Sequence, residues 1–290
     1  MSKPSERGNA LQQTPCRLCD GAATFRFSRL VLDKHPVAYW RCDRCGSLQT
    51  DAPYWLDESY QTVHSAADTG MAARTLQMAQ ATSLLLKLLG VGAEALCLDW
   101  GGGNGLFCRM MRDQGYNFLN EDKYAAPFYA AGFALNRAAV SHCDVITSFE
   151  VFEHLSNPSA ELAEIFGFRP LLWIFSTQLY EDQEDGWNYL APRTGRHVFF
   201  YGQKGLDRVA CANGYRFARG RHLHMFVRNS DNPLLKNALG RALAFKLLSG
   251  GKLVGFAAGL HFLARQRHAY RYWQADSGRA KPLESARDQT

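Results

Sequence analysis

The chain has 290 residues, of which 47% are hydrophobic and 21% are charged, and its formal net charge at pH 7 is +6. This composition is that of a globular protein, so it excludes a largely disordered chain and allows a sizeable core. The modest charge does not by itself indicate binding to nucleic acid, and the sequence contains neither an apolar run long enough to span a membrane nor the apolar centre of a signal peptide.

The first two segments are a polar tail and a cysteine-rich region. Residues 1–13 predict a flexible tail, and residues 14–55 contain two CxxC pairs with β-prone runs between them. The pairs are 22 residues apart, and a glycine follows each second cysteine. This pattern predicts a zinc ribbon, in which two hairpins meet around one structural, tetrahedral zinc ion. Reduced cysteines arranged for metal binding are typical of the cytoplasm, where we expect the protein to reside. The four expected ligands are Cys16, Cys19, Cys42 and Cys45.

The following segments become helical and then alternate between strands and helices. Residues 56–92 predict a helical linker, because Met71 to Leu89 are mostly helix formers and Gly90 is a stop signal. From residue 93 to 228, short apolar runs alternate with helical patterns, which indicates an α/β fold with a parallel sheet. The expected strands are 95–98, 117–120, 144–148 and 171–176, followed by 216–218 and 222–227, and the expected helices are 105–114, 159–166 and 204–212.

A glycine-rich loop separates the first of these strands from the first of these helices. Its glycines, Gly101, Gly103 and Gly105, have the spacing GxGxG, whereas a dinucleotide fingerprint would place its third glycine at Leu106. Glycines let the backbone approach a ligand closely, and the helix start offers unpaired N–H groups. Asp99 at the strand end would repel a pyrophosphate and would attract a cationic ligand by about 1 kcal/mol in water. The loop therefore predicts a binding site for a positively charged cofactor.

Several motifs together resemble class I S-adenosylmethionine (SAM)-dependent methyltransferases. Residues 97–105, CLDWGGGNG, are similar to motif I of that family, and residues 144–158, DVITSFEVFEHLSNP, to its fourth strand and the helix that follows. Asp122, after the second strand, is similar to the acidic ribose-binding position, and residues 187–198 resemble a later segment of the small-molecule subgroup. The resemblance covers about 93–228. It implies a Rossmann-like sheet with helices on both faces, and SAM binding by Asp99, Gly101, Gly103, Gly105 and Asp122.

One departure from the family concerns the stretch between Asp122 and Asp144. It has little room for a full helix and a third strand. The position that contacts adenine in the family therefore has no assigned counterpart in this chain.

Acidic and histidine side chains supply the candidate catalytic groups. Glu150, Glu153 and His154 stand at i, i+3 and i+4, so they share one face if this stretch is helical. Such a face fits a substrate-side acid or base, a divalent metal site, or simply a helix-start acid with a hydrogen-bonded histidine. Methyl transfer to a hydroxyl benefits from a general base, for which His154 and His197 are the candidates. His197 lies among aromatic residues of a loop, and either histidine is alternatively an ordinary structural one.

The resemblance favours a methyltransferase that acts on a small-molecule acceptor. Methyltransferases similar to those for sugars and surface polysaccharides often begin with such a zinc-binding segment, so the expected acceptor is a hydroxyl of a sugar, or of a polysaccharide or natural-product precursor. One alternative is an RNA methyltransferase whose ribbon grips RNA, but the modest charge and the absence of an NPPY motif after the fourth strand speak against nucleic acid. The other alternative is a non-catalytic scaffold, against which the intact glycine loop speaks.

The last segment, residues 229–290, predicts a basic, helix-prone appendage and a polar tail. Leu234 to Arg267 mix apolar residues with lysine and arginine. We expect a helical cap that packs on the preceding domain, with contact to a membrane surface or a partner as the alternative.

Overall fold

A computed structural model of the chain describes residues 13–60, 70–229 and 252–266, together with residues 242, 244 and 276. The predicted tail, apart from residue 13, and most of the predicted appendage lie outside the described residues. The described residues form two sheets and six α-helices that share continuous hydrophobic cores.

The smaller sheet is antiparallel and has five strands in the order β1-β2-β3-β4-β9. Its strands are β1 (Gln13–Pro15), β2 (Ala22–Val31), β3 (His35–Cys42), β4 (Leu48–Thr50) and β9 (Phe199–Phe200). The first four belong to the predicted ribbon. The fifth comes from far along the chain, and it pairs Phe200 with Leu48 and Phe199 with Gln49. The ribbon is therefore built into the larger domain rather than appended to it.

The larger sheet has six strands in the order β10-β11-β8-β7-β5-β6. Strands β6, β5, β7 and β8 are parallel, β11 is antiparallel to β8, and β10 is antiparallel to β11. These strands are β5 (Leu96–Trp100), β6 (Asn117–Glu121), β7 (Val145–Ser148), β8 (Leu172–Phe175), β10 (Tyr215–Ala218) and β11 (His224–Arg228). Each predicted strand is present within a few residues, and the α/β, Rossmann-like prediction is confirmed.

Helices cover both faces of the larger sheet. They are α2 (Met71–Leu89), α3 (Leu106–Asp113), α4 (Pro158–Gly167), α5 (Gln203–Ala212) and α6 (Lys252–Gln266), whereas the short α1 (Leu56–Ser59) packs against the smaller sheet. On one face, Leu162 and Phe166 of α4 and Leu206 of α5 share a core with Cys16 and Leu18 of the ribbon. On the other face, α2, α3 and α6 form a second core. Burial of these apolar faces, at about 25 cal/mol per Å², holds ribbon and sheet together.

The predicted linker is part of this second core. Leu85 and Leu86 of α2 are fully buried, and the helix ends where Gly90 adopts a left-handed conformation with φ of 76°. Phe262 of α6 is buried in the same core, and the Arg265 guanidinium donates to the carbonyl of Gln114. The described part of the appendage is thus a cap on the domain. Among the described residues, no helix is both long enough and apolar enough to cross a membrane.

The stretch between β6 and β7 contains no full helix. A 3-10 turn at Phe128–Ala130 and an isolated bridge between Asn120 and Ala134 stand where the family would place a helix and a third strand. This agrees with the shortage of space noted in the sequence.

Candidate active site and four-cysteine centre

The glycine loop joins the end of β5 to the start of α3. Gly101, Gly103 and Gly105 have φ angles of 75°, 55° and 81°, a region that glycine enters without strain. At Gly101, a Cβ atom would also lie 2.4 Å from a methyl carbon of Val151. The loop is therefore fixed in a shape that most side chains would prevent.

A cavity of about 250 Å³ opens above this loop. Gly101, Gly102, Gly103 and Asn104 form its floor, and Asp99 lies at one side. The remaining wall consists of Met71, Arg74, Thr75 and Met78 of α2, Leu106 and Phe107 of α3, and Phe149, Glu150 and Ser176 at the ends of β7 and β8. The cavity is at the carboxyl ends of parallel strands, where α/β folds bind ligands.

Two carboxyl groups flank the loop in different ways. Asp99 is 2% exposed and accepts a hydrogen bond of 2.7 Å from the Thr147 hydroxyl. Its burial raises its pKa to about 7, against the opposing effect of that hydrogen bond. Asp122 instead bridges two segments: it accepts from the backbone N–H of Gly103 at 2.9 Å and from those of Tyr124 and Ala125 at 2.8 Å. Asp122 thus also holds the shape of the glycine loop.

Glu150, Glu153 and His154 do not share a helical face, so that part of the sequence prediction is wrong. Glu150 has a left-handed conformation with φ of 55°, and only Phe152–His154 form a 3-10 turn. The Glu150 carboxylate accepts a hydrogen bond from the Ser176 hydroxyl at 2.8 Å and faces the cavity. The tight turn after β7 sends Glu153 and His154 to a separate group of side chains.

That group consists of Glu153, His154 and His197. One ligand atom from each lies within 4.8 Å of the others, and the two imidazole centroids are 5.0 Å apart. Glu153 is fully buried; the Tyr189 and Thr177 hydroxyls lie beside it, yet no described residue meets its two oxygens in good hydrogen-bond geometry. Three such groups could serve an acceptor as acid and base, or could hold a divalent cation.

One ring nitrogen of each histidine makes a hydrogen bond outside this group. His197 Nδ1 donates to the Tyr189 carbonyl at 2.6 Å, so Nε2 carries the free lone pair. His154 Nδ1 is 3.2 Å from the Tyr60 hydroxyl. The tautomer of His197 is therefore fixed by a backbone carbonyl, which is the arrangement that a general base requires.

Burial decides the charge of these groups. It lowers the pKa of His154 to about 3 and also lowers the pKa of His197, which the Tyr189 carbonyl and the charge of Glu150 partly oppose. Burial raises the pKa of Glu153 to about 8. At neutral pH, both imidazoles are therefore neutral and Glu153 is mostly protonated.

The four predicted cysteines come together at the end of the ribbon. Their sulfur atoms lie within 4.8 Å of one another, with Cys16 and Cys45 at 3.7 Å and Cys19 and Cys42 at 3.6 Å. A tetrahedral zinc with bonds of about 2.3 Å needs sulfurs about 3.8 Å apart, so the thiols fit it. The hydrogen bond that Cys16 and Cys45 share lowers the pKa of Cys45 and raises the pKa of Cys16, so Cys45 is the thiol of this pair that loses its proton first.

The two knuckles turn by different means. Gly46 takes the left-handed conformation after Cys45, but in the first knuckle Asp20 takes it, with φ of 56°. Gly21 is instead needed for close packing, since a Cβ there would lie 2.8 Å from the Cβ of Arg44. A glycine thus follows the second cysteine of both pairs, but only Gly46 has the positive φ of a tight turn.

Sequence reasoning missed several residues of the site. Ser176 and Thr177 directly follow β8, and their position at the carboxyl end of a parallel strand was the available signal. The wall from α2, with Arg74 and Met78, had no such signal, because a helix assigned as a linker gives no indication of which strand ends it covers.

Comparison with known protein families gives one match. The sequence model described as "Methyltransferase domain" matches residues 72–219, which is half of the chain. No protein of curated function matches the chain in a sequence comparison.

Comparison with solved structures gives matches of low sequence identity. One is 1,6-didemethyltoxoflavin-N1-methyltransferase of Burkholderia thailandensis, with 15% identity, 66% of this chain and 93% of that chain covered, and a TM-score of 0.44. Another is magnesium protoporphyrin IX methyltransferase of Synechocystis PCC 6803, with 13% identity, 61% and 96% coverage, and a TM-score of 0.39.

Proposed function

The chain belongs to the SAM-dependent methyltransferase family, whose domain model covers residues 72–219, and on this premise we propose that it methylates a hydroxyl of a small-molecule acceptor. A sugar, or a precursor of a polysaccharide or natural product, is the acceptor class that we favour. The observation that carries the proposal is a pair of neutral imidazoles, His154 and His197, whose centroids are 5.0 Å apart. Of the two, His197 feels the charge of Glu150, which lies at the wall of the loop cavity.

We assign cofactor binding to the glycine loop and its flanking acids. SAM supplies a methyl group on a sulfonium that leaves as a neutral thioether. The backbone of Gly101, Gly103 and Gly105 allows a ligand to approach closely, and Asp99 provides negative charge when it is ionised. Three backbone N–H groups already donate to the Asp122 carboxylate. We propose that a remaining lone pair of this carboxylate accepts a hydrogen bond from the ribose.

We propose that His197 is the general base and that His154 assists. His197 Nε2 carries a free lone pair, and the negative charge of Glu150 favours the imidazolium that forms when the acceptor loses its proton. Glu153 is fully buried and mostly protonated at neutral pH, so it adds little negative charge beside the two imidazoles. Because alignment supplies most of the rate in methyl transfer, the main task of these side chains is to position the acceptor.

We also propose that Cys16, Cys19, Cys42 and Cys45 hold one structural zinc ion. Four thiolates fill a tetrahedral shell, so the metal stabilises the fold and leaves no open position for chemistry. Thiols kept free for a metal fit the reducing cytoplasm, where we place the reaction.

The test begins with SAM binding measured by calorimetry on folded, zinc-loaded protein. We expect micromolar affinity for the wild type and none for Gly103→Asp combined with Asp122→Ala. The wild type is then incubated with SAM and a panel of sugars and nucleotide sugars, and formation of S-adenosylhomocysteine (SAH) identifies the acceptor.

Two results would contradict the proposal. No SAM binding by folded wild-type protein would favour the non-catalytic scaffold. Turnover with RNA but with no small molecule would favour the RNA methyltransferase, and binding to RNA would then fall steeply with added salt.

A further inference from the structure

One arginine of the ribbon reaches into the domain behind the candidate acceptor side. Arg17 lies inside the first CxxC pair, between Cys16 and Cys19, and its side chain is partly buried. Its Nη1 donates to the carbonyl of Ser156 at 2.9 Å, and its Nη2 donates to the carbonyl of Val198 at 2.6 Å. The guanidinium therefore joins two backbone segments that are 42 residues apart in the chain, from Ser156 to Val198.

These two segments carry the two candidate histidines. Ser156 is two residues after His154, and Val198 directly follows His197. The backbone N–H of Val198 also donates to the carbonyl of Glu153 at 2.8 Å. A fixed distance between the carbonyls of Ser156 and Val198 therefore fixes the spacing of the backbone segments that carry the two imidazoles.

The partners of Arg17 show that its task is to hold backbone rather than to pair with an acid. Every hydrogen bond that its guanidinium makes with described residues ends on a carbonyl or on the Thr50 hydroxyl. Loss of a charged donor would leave the carbonyls of Ser156 and Val198 without this partner.

The ribbon end of Arg17 is equally constrained. Its backbone N–H donates to the Gln49 side chain at 2.8 Å, and Gln49 in turn donates to the carbonyl of Pro15 at 2.9 Å. The neighbouring cysteines are the ligands of the proposed zinc. The conformation of the metal-binding knuckle thus determines where the guanidinium lies.

We propose that Arg17 is a positioning residue that couples the four-cysteine centre to the acceptor side of the enzyme, by holding the segments of His154 and His197 at their working distance. This inference rests on the proposed function in assigning these histidines to the acceptor. It adds that the ribbon has a second task besides stability, because its first knuckle helps to align the base.

The chain offers a matched control in the second knuckle. Arg44 lies inside the other CxxC pair, and its Nη1 donates to the carbonyl of Cys19 at 3.1 Å. Its side chain is exposed, and its described contacts, with Cys19 and at Gly21, stay within the ribbon. Arg44→Met therefore removes a guanidinium from the same metal centre without touching the histidine segments.

The experiment compares zinc-loaded, full-length wild type, Arg17→Met, Arg17→Lys and Arg44→Met. Zinc content, SAH affinity by calorimetry, and the imidazole resonances of His154 and His197 in NMR are measured for each protein. Single His→Asn variants assign the two resonances. We expect one zinc per chain and SAH dissociation constants within about twofold in all four, since Arg17 does not touch the loop cavity.

The histidine resonances distinguish the variants. We expect Arg17→Met to shift and broaden the imidazole resonances of His154 and His197 and to raise the pKa of His197 toward its ordinary value. Arg17→Lys should cause smaller changes of the same kind. Arg44→Met should leave both resonances and the pKa unchanged. With a known acceptor, Arg17→Met should lower kcat by about 10²-fold at unchanged KM for SAM.

Three results would overturn the inference: unchanged histidine resonances in Arg17→Met, equal changes in Arg44→Met, or loss of zinc or SAH binding in Arg17→Met. If Arg17→Met does not fold, Arg17→Lys is judged by the same measurements. Failure of the proposed function has a separate signature, because the wild type would then bind no SAM or SAH.

Discussion

Asp99 shows how burial gives one carboxyl group a function that depends on pH. Burial raises its pKa to about 7, so the group is largely neutral below pH 7 and ionised above it. Only the ionised form attracts a cationic cofactor. We therefore predict that SAM affinity rises as the pH increases toward 7 and is constant above about pH 8, and that the total rise is about tenfold for each unit by which binding lowers this pKa.

Calorimetry across this pH range measures the effect, and Asp99→Asn is the control. The variant should bind SAM weakly with little dependence on pH, because its amide has no charge to gain. A wild type whose affinity does not change across pH 7 would contradict this role for Asp99.

His197 carries the second prediction. Because its pKa lies below the ordinary value of about 6.5, the base form dominates at neutral pH. With SAM kept saturating, kcat/KM for the acceptor should therefore fall only as the pH drops below about 6.5. In His197→Asn, the new amide can still donate to the Tyr189 carbonyl but cannot accept a proton. We expect kcat to fall by about 10²–10⁴-fold with SAM affinity unchanged.

The comparison is with His154→Asn, measured with the same acceptor. A smaller loss of kcat in this variant would support the assignment of the base to His197. If His197→Asn kept its rate, His197 would be an ordinary loop histidine and the base would have to be sought elsewhere.

The residues of the site differed in how far the sequence could place them. The spacing of the cysteines predicted their meeting, and the structure brings them together. The spacing of Glu150, Glu153 and His154 misled, because a left-handed residue after β7 interrupts the helical pattern. The contact between His154 and His197 crosses 43 residues of chain, and no local pattern in one sequence encodes such a contact.

At the scale of the element, the conformation of the glycine loop between β5 and α3 can be tested by comparing one of its glycines, Gly101, with Gly214 in the turn between α5 and β10. Gly101 and Gly214 both have left-handed conformations, with φ of 75° and 81°. An added Cβ at Gly214 meets no heavy atom within 4 Å, whereas at Gly101 it lies 2.4 Å from a methyl carbon of Val151. The backbone cost of alanine is similar at both sites, about 1–2 kcal/mol, but only Gly101 adds a clash beside the cavity.

We therefore predict that Gly214→Ala lowers the free energy of unfolding by about 1 kcal/mol without effect on SAM affinity. Gly101→Ala should be less stable than Gly214→Ala and should bind SAM more weakly. Urea unfolding and calorimetry measure the two quantities. Equal SAM affinity in the two variants would show that the loop backbone near Gly101 does not form the cofactor site.

Elements were predicted well where one local signal sufficed. Apolar runs placed the strands of the larger sheet, and Gly90 placed the end of α2. Strand β9 was not predicted, because two residues carry no periodicity and the strand is defined only by its partner β4. The role of α2 was also missed, since periodicity reveals a helix but not the strand ends that it covers.

At the scale of the whole molecule, the shared core predicts that ribbon and sheet unfold together. Structural zinc sites contribute about 10–16 kcal/mol of apparent binding free energy, which is comparable to the stability of a domain. Chelation should therefore lower the melting temperature of the entire protein, in one transition. The indole N–H groups of Trp40 in the ribbon and Trp173 in the larger sheet, which donate to Asp51 and Ser148, report on the two parts in NMR.

Both indole signals should be lost at the same temperature, with and without metal. Loss of the Trp40 signal at a lower temperature, with the Trp173 signal retained, would show that the ribbon unfolds alone and that the common core does not couple the two parts.

The pairing of β4 with β9 also has a consequence for synthesis of the chain. Gln49 leaves the ribosome 150 residues before its partner Phe199, which corresponds to roughly 8–30 s at about 5–20 residues per second. During that interval the nascent ribbon has an open edge that other nascent chains can pair with. Binding of zinc to the nascent ribbon would not cover the edge of β4, because only β9 pairs with that edge. The edge therefore stays open to other chains until residues 199–200 have been synthesised.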